Sequence, residues 1–96
     1  MKQHTVDFRG AKTYQEFYER IVKGMEFPEW CGYNADAVWD LLTGHAEYPA
    51  KITIYGIRQL PKALERSSNL IAKVFQDAEV WFSETNTQFK VQFIDE

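Results

Sequence analysis

Asn34-Ala35-Asp36-Ala37-Val38-Trp39-Asp40-Leu41-Leu42-Thr43-Gly44-His45-Ala46-Glu47-Tyr48-Pro49-Ala50-Lys51-Ile52-Thr53-Ile54-Tyr55-Gly56 is the stretch on which the fold turns. Asn34 is a good N-cap, because its side-chain oxygen can accept an N–H that opens a helix without a partner. Behind it Ala35, Val38, Leu41 and Leu42 share one side at about 100° per residue, and Gly44 is the usual glycine stop. Pro49 then precedes Lys51-Ile52-Thr53-Ile54-Tyr55, a short strand closed by Gly56. A helix that feeds a strand is the repeating step of an α/β protein.

The flanks extend the same pattern. His4-Thr5-Val6-Asp7-Phe8 alternates and reads as a first strand, stopped by Arg9-Gly10. Thr13 with Glu16 is a capping box, followed by Tyr14, Phe17, Tyr18, Ile21, Val22 and Met25 at helical spacing. That helix ends near Gly24-Met25, and the segment 27–33, with Pro28 and Gly32, is a turn-rich loop. Beyond Gly56 a short helical piece holds Leu60, Pro61 and Leu64. Ser68 then caps a longer helix in which Leu70, Ile71, Val74, Phe75, Ala78, Trp81 and Phe82 share a face. After a loop at Glu84-Thr85-Asn86-Thr87, the segment 89–94 is the last strand. Helical crossovers between consecutive strands imply a parallel sheet. The predicted architecture is α/β: a small three-stranded parallel sheet packed with about four helices. At 96 residues the chain is expected to be a single domain, 1–96.

Composition narrows the function. Hydrophobic residues make up 45% and aromatics 16%, which argues against disorder. There is no apolar run long enough to span a membrane and no apolar leader after Met1. Cys31 is the only cysteine, so the expected home is a reducing, cytoplasmic compartment. The net charge of −3 hides an asymmetry: Glu26, Glu29, Asp36, Asp40 and Glu47 lie between Lys23 and Lys51 with no base among them. Phosphate backbones need Lys and Arg, so this region is not expected to bind nucleic acid. Charge alone leaves two readings open, a solvated acidic face or a patch that meets a basic partner.

The second helix favours the patch. Asp36, Trp39, Asp40 and Thr43 fall on the side facing away from Ala35, Val38, Leu41 and Leu42. A tryptophan between two aspartates on a wet face is typical of a binding surface, although it could also fold back as satellite core. Asp40 is disfavoured by the dipole near a helix C-terminus, by about 0.3–1 kcal/mol, and Asp36 and Asp40 repel each other at i, i+4. A helix that accepts both terms makes sense if the pair serves a partner.

Catalysis finds no support. Paired carboxylates resemble a glycosidase dyad, but these two share one exposed face instead of flanking a cleft. His4 and His45 are isolated, Cys31 has no ligand at metal spacing, and the glycines form no phosphate loop. Ser67-Ser68 lacks a triad context. No enzyme activity, metal, cofactor or small-molecule substrate is expected.

At residues 27–44 the pattern becomes specific. Phe27-Pro28-Glu29-Trp30-Cys31-Gly32-Tyr33-Asn34-Ala35-Asp36-Ala37-Val38-Trp39-Asp40-Leu41-Leu42-Thr43-Gly44 resembles the barstar family signature, and the match runs on through Glu47-Tyr48-Pro49. A fainter similarity covers most of the chain, with Val74-Phe75-Gln76-Asp77-Ala78 resembling the acidic position on the family's last helix. The resemblance implies an intracellular ribonuclease inhibitor, an immunity protein whose plug is the second helix and the loop before it. By position it implies a binding edge of Trp30, Gly32, Asn34, Asp36, Trp39, Asp40, Thr43 and Gly44, with His45 and Glu47 beyond and Asp77 from the side. Cys31 stands where the family has a second loop aromatic, His45 where an aromatic often follows Thr-Gly, and Tyr33 replaces an acid of the best-known member. These departures imply a partner other than that member's ribonuclease.

The expected partner is a cognate basic ribonuclease toxin, bound 1:1, with Asp40 as phosphate mimic. The alternative is an adaptor that docks a basic non-nuclease protein on the same face.

Overall fold

The computed structural model describes residues 1–44 and 48–95. Strands β1 (Lys2–Asp7), β2 (Ala50–Tyr55) and β3 (Phe89–Ile94) form one parallel sheet in the order β1-β2-β3. Helices α1 (Tyr14–Met25) and α2 (Ala35–Gly44) lie between β1 and β2, and α3 (Glu65–Glu84) lies between β2 and β3. The expected α/β class and parallel sheet are therefore present.

The sheet is covered on one face. His4, Ile52 and Val91 are in register, as are Val6, Ile54 and Phe93, and these residues are buried or half-buried. The rows between them carry Gln3, Lys51 and Lys90, then Thr5, Thr53 and Gln92, and face water. Parallel sheets are usually covered on both faces and read as continuous apolar runs. Here the strands alternate because one face has no cover. Strand order explains it: two right-handed crossovers that advance in the same direction put their helices on the same side. α1 packs on β1, α3 packs on β3, and α2 packs chiefly on α3. Phe8, Phe17, Ile21, Leu42, Ile52, Ile54, Ile71 and Phe75 fill the space between sheet and helices.

Among the described residues there are three α-helices, below the expected four. The piece around Pro61 is a 3-10 turn, Lys62–Leu64, that runs straight into α3. Ser68 does not cap that helix. The turn carbonyls of Pro61 and Lys62 receive the N–H groups of Leu64 and Glu65, so the helix is capped without a side chain at Leu64, ahead of Ser68. Ser68 is buried inside it, its hydroxyl donating back to the Glu65 carbonyl at 2.9 Å. The expected buried face of this helix is also too wide. Leu70 and Trp81 are 47% and 41% exposed, because α3 meets a sheet on one side and only the short α2 beside it.

The start of α1 matches its signature. Thr13 accepts the Glu16 N–H and Glu16 reaches back to the Thr13 N–H, completing the capping box. Its end is less ordinary. Phe27 N–H bonds the Val22 carbonyl and Glu26 N–H bonds the Lys23 carbonyl, a Schellman closure with Glu26 left-handed at φ 58°. Glycine would normally occupy that position. The nearby glycine, Gly24, serves another purpose: a Cβ there would lie 2.4 Å from the Thr5 carbonyl oxygen and 2.9 Å from the Val6 Cα. Gly24 lets the last turn of α1 press onto the backbone of β1, where its carbonyl meets the buried His4 Nδ1 at 3.2 Å.

Two substitutions two residues apart should therefore act in opposite directions. Gly24→Ala forces helix and strand apart and is expected to cost about 1–3 kcal/mol, lowering Tm by about 5–20 °C. Glu26→Gly relieves the left-handed residue at the expense of an exposed ion pair with Lys2, and should raise stability by about 0.5 kcal/mol. Thermal melts measure both. An unchanged Gly24→Ala melt, or a lowered Glu26→Gly melt, would contradict this account of the helix end.

Candidate partner-binding face

α2 is built as the sequence implies. The Asn34 side-chain oxygen accepts the Ala37 N–H at 2.8 Å, and its main-chain carbonyl accepts the Val38 N–H at 3.2 Å. Val38, Leu41 and Leu42 are buried. Asp36 and Asp40 are exposed on the other side, with Trp39 and Thr43 half-buried between and beside them. The Thr43 hydroxyl donates to the Trp39 carbonyl at 2.9 Å, so it is presented along the helix instead of projecting freely. Asn34 likewise spends its side-chain oxygen on the cap.

The loop before α2 is held from below and behind. Cys31 N–H bonds the Pro28 carbonyl, and the thiol is buried, its pKa pushed up by the loss of water around it. That environment suits a small packing residue, not a nucleophile. The Tyr14 hydroxyl donates to the Tyr33 carbonyl, and Tyr33 stacks on Tyr18 with ring centroids 5.8 Å apart. Gly32 fits tightly, since a Cβ there would meet the Asn34 amide at 3.0 Å and the Ala37 methyl at 3.3 Å. At the crest of the same loop Trp30 is 75% exposed.

Tertiary structure brings α3 to this face. Trp39 meets Trp81 edge to face at 6.3 Å, and Trp81 meets Phe82 the same way at 4.8 Å. Phe82 packs on Tyr48 at 4.0 Å and on Phe89 at 5.1 Å, so an aromatic chain runs from the surface of α2 to the start of β3. Asp77 lies one turn before Trp81 on α3 and pairs with Lys73 at 3.2 Å. In the sequence Trp81 shares the apolar face of α3, and the expected binding edge does not include it. Gly44 closes the described part of α2, with open space around its Cα. His45 and Glu47, the other two expected site residues, lie outside the described residues.

The electrostatics of the face follow from which charges are already satisfied. Glu26 is removed from the acidic set, because Lys2 reaches it at 3.2 Å from β1. At the far end of β1, Arg9 binds both Asp7 oxygens at 2.9 and 2.8 Å. Those hydrogen bonds hold the Asp7 carboxyl well down, at about 2. Asp36 and Asp40, by contrast, have no ion pair among the described residues. No group of His, Cys, Asp and Glu among the described residues is arranged to hold a metal ion, and no described helix is long and apolar enough to cross a membrane.

The arrangement offers two unpaired carboxylates, a tryptophan between them, a second tryptophan from the neighbouring helix and an exposed loop tryptophan. Exposed carboxylates and aromatics side by side fit docking against a concave basic site.

A protein of Bacillus subtilis (strain 168) named "Putative ribonuclease inhibitor YrdF" is 24% identical over 91 residues, covering 95% of this chain and 97% of the relative. The family described as "Barstar (barnase inhibitor)" matches residues 1–94. Its members are inhibitors, not enzymes, and the chain belongs to the barstar family.

Proposed function

We propose that this chain inhibits a cognate toxic ribonuclease by seating α2 and the preceding loop in the enzyme's basic active site. The carrying observation is the outer face of α2, where Asp36 and Asp40 flank Trp39 with no ion pair of their own among the described residues. The family description and the name of the Bacillus subtilis relative support the choice of a ribonuclease as target.

The mechanism is occlusion. A ribonuclease stabilises a charged phosphoryl transition state with cationic side chains, so its active site is a positive well. Asp40 stands in for the phosphate and pairs with an arginine there, a charge-assisted contact that a carboxylate makes bidentately. Asp36 widens the negative field and steers the encounter. Trp39 and Trp30 supply apolar anchors, and RNA is excluded because the site is full. The chain acts 1:1 and in the cytoplasm of the cell it protects.

The test is inhibition. The purified chain is titrated against barnase and against each ribonuclease encoded in the same genome, with cleavage of a fluorogenic RNA as readout. Stoichiometric loss of one activity is the expected result. A chain that leaves every one of them active refutes the proposal, and binding remote from an active site would instead indicate an adaptor.

Two outcomes check the mechanism. Asp40→Ala should weaken inhibition more than any other single truncation on α2, by at least about 30-fold, because basic groups are left buried without their anion. The same variant should melt at or slightly above the wild-type temperature, since removal relieves the helix dipole and the Asp36 repulsion. Separately, the association rate should fall steeply between dilute buffer and high salt while dissociation changes less. An Asp40→Ala protein that inhibits as well as wild type, or a salt-indifferent association rate, contradicts the phosphate-mimic mechanism.

A further inference from the structure

We infer that Trp81 on α3 is a specificity-determining residue of the same face, an indole shelf that receives a cationic side chain from the rim of the ribonuclease. The inference rests on the proposed function and adds to its contact surface an aromatic residue of α3 one turn from Asp77. Trp81 is 41% exposed although it is held on two sides, edge to face against Trp39 at 6.3 Å and against Phe82 at 4.8 Å. An aromatic fixed in that way presents its free surface without further loss of rotamer freedom, which is the property of a good anchor. Val80 beside it is 58% exposed, so the uncovered area is larger than one ring.

The chemistry of the occupant follows from the neighbours. Lys73, Asp77 and Trp81 ascend one face of α3 at intervals of four, which puts a carboxylate one turn from the indole. Trp39, which touches Trp81, lies between Asp36 and Asp40. A cation is the ligand that both an indole face and flanking carboxylates attract, and tryptophan is the strongest aromatic partner for one. Arginine fits best, because its planar guanidinium stacks on the ring while its N–H groups reach Asp77. The present partner of Asp77 is no obstacle: Lys73 and Asp77 form an exposed i, i+4 pair, with side chains 72% and 53% accessible, and such pairs exchange readily.

The probe is the ribonuclease that the wild-type chain inhibits most tightly in the titration above, with Asp40→Ala as control. Trp81→Leu keeps an apolar side chain against Trp39 and Phe82 but removes the π face. It should weaken inhibition about 5- to 30-fold, and losing two edge-to-face pairs should lower Tm by about 5–20 °C while the chain stays folded. Trp81→Phe should fall between Leu and wild type. Asp77→Asn combined with Trp81→Leu should lose less than the product of the two single effects, because both singles remove the same cation. If Asp40→Ala loses inhibition and Trp81→Leu does not, Trp81 is only a seam residue and the wider function stands. If neither variant changes inhibition, the α2 plug and phosphate-mimic mechanism falls and the inference falls with it, although the chain remains an inhibitor. If Trp81→Leu abolishes self-association of the free chain and leaves inhibition intact, the shelf belongs to a second copy and the assignment is overturned.

Discussion

Handedness is the constraint behind the arrangement. Three parallel strands ordered β1-β2-β3, joined by right-handed crossovers, put every helix on one side of the sheet. That side must then accommodate three helices over three short strands. α1 covers β1 and α3 covers β3, which leaves α2 to pack chiefly on α3. A helix in that position buries one stripe, through Val38, Leu41 and Leu42, and keeps the opposite stripe for solvent or a partner. The docking face is thus a consequence of topology, and its residues needed only to be chosen for charge and aromatic character.

An exposed helix must still be rigid to bind well, and the aromatic chain supplies that rigidity. Trp39, Trp81, Phe82 and Phe89 pass the position of α2 through α3 to the beginning of β3, which is paired in register with Ala50 of β2. Edge-to-face pairs of this kind add about 0.5–1.5 kcal/mol each beyond the area they bury. The loop before α2 is held by a separate set, Tyr14, Tyr18 and Tyr33, anchored on α1. Helix and loop are therefore fixed from different elements, and a partner that touches both reads the relative placement of α1 and α3. Pre-organisation of this kind removes part of the ordering cost of association.

Charge is distributed with the same economy. Acids that the sequence shows together are not equivalent once folded: Glu26 is paired with Lys2, and Asp77 with Lys73. Asp36 and Asp40 have no ion pair among the described residues and sit on a helix whose last turn carries no base to offset them. Repulsion between them is worth only a few tenths of a kcal/mol. A stable core tolerates that easily, so the fold can hold a binding electrostatic arrangement that is locally unfavourable.

Local signals in the sequence determined a great deal. The capping box at Thr13 and Glu16, the Asn34 cap, the alternation of the strands and the apolar stripe of α2 each depend on residues within a few positions of one another. Such short-range rules act before tertiary contacts form, and they specified the class, the three strands, the three helices apart from the start of α3, and the outward face of α2. Dense motif identity from Phe27 to Pro49 named the family. Only the tertiary structure decided the rest, because it depended on residues distant in sequence. Lys2 reached Glu26 across 24 residues, and Gly24 served β1 instead of its own helix end. Trp81 shows the reason most plainly. Helical periodicity tells which residues share a side but not how wide a side the neighbours cover, and a short α2 covers too little of α3 to bury that ring.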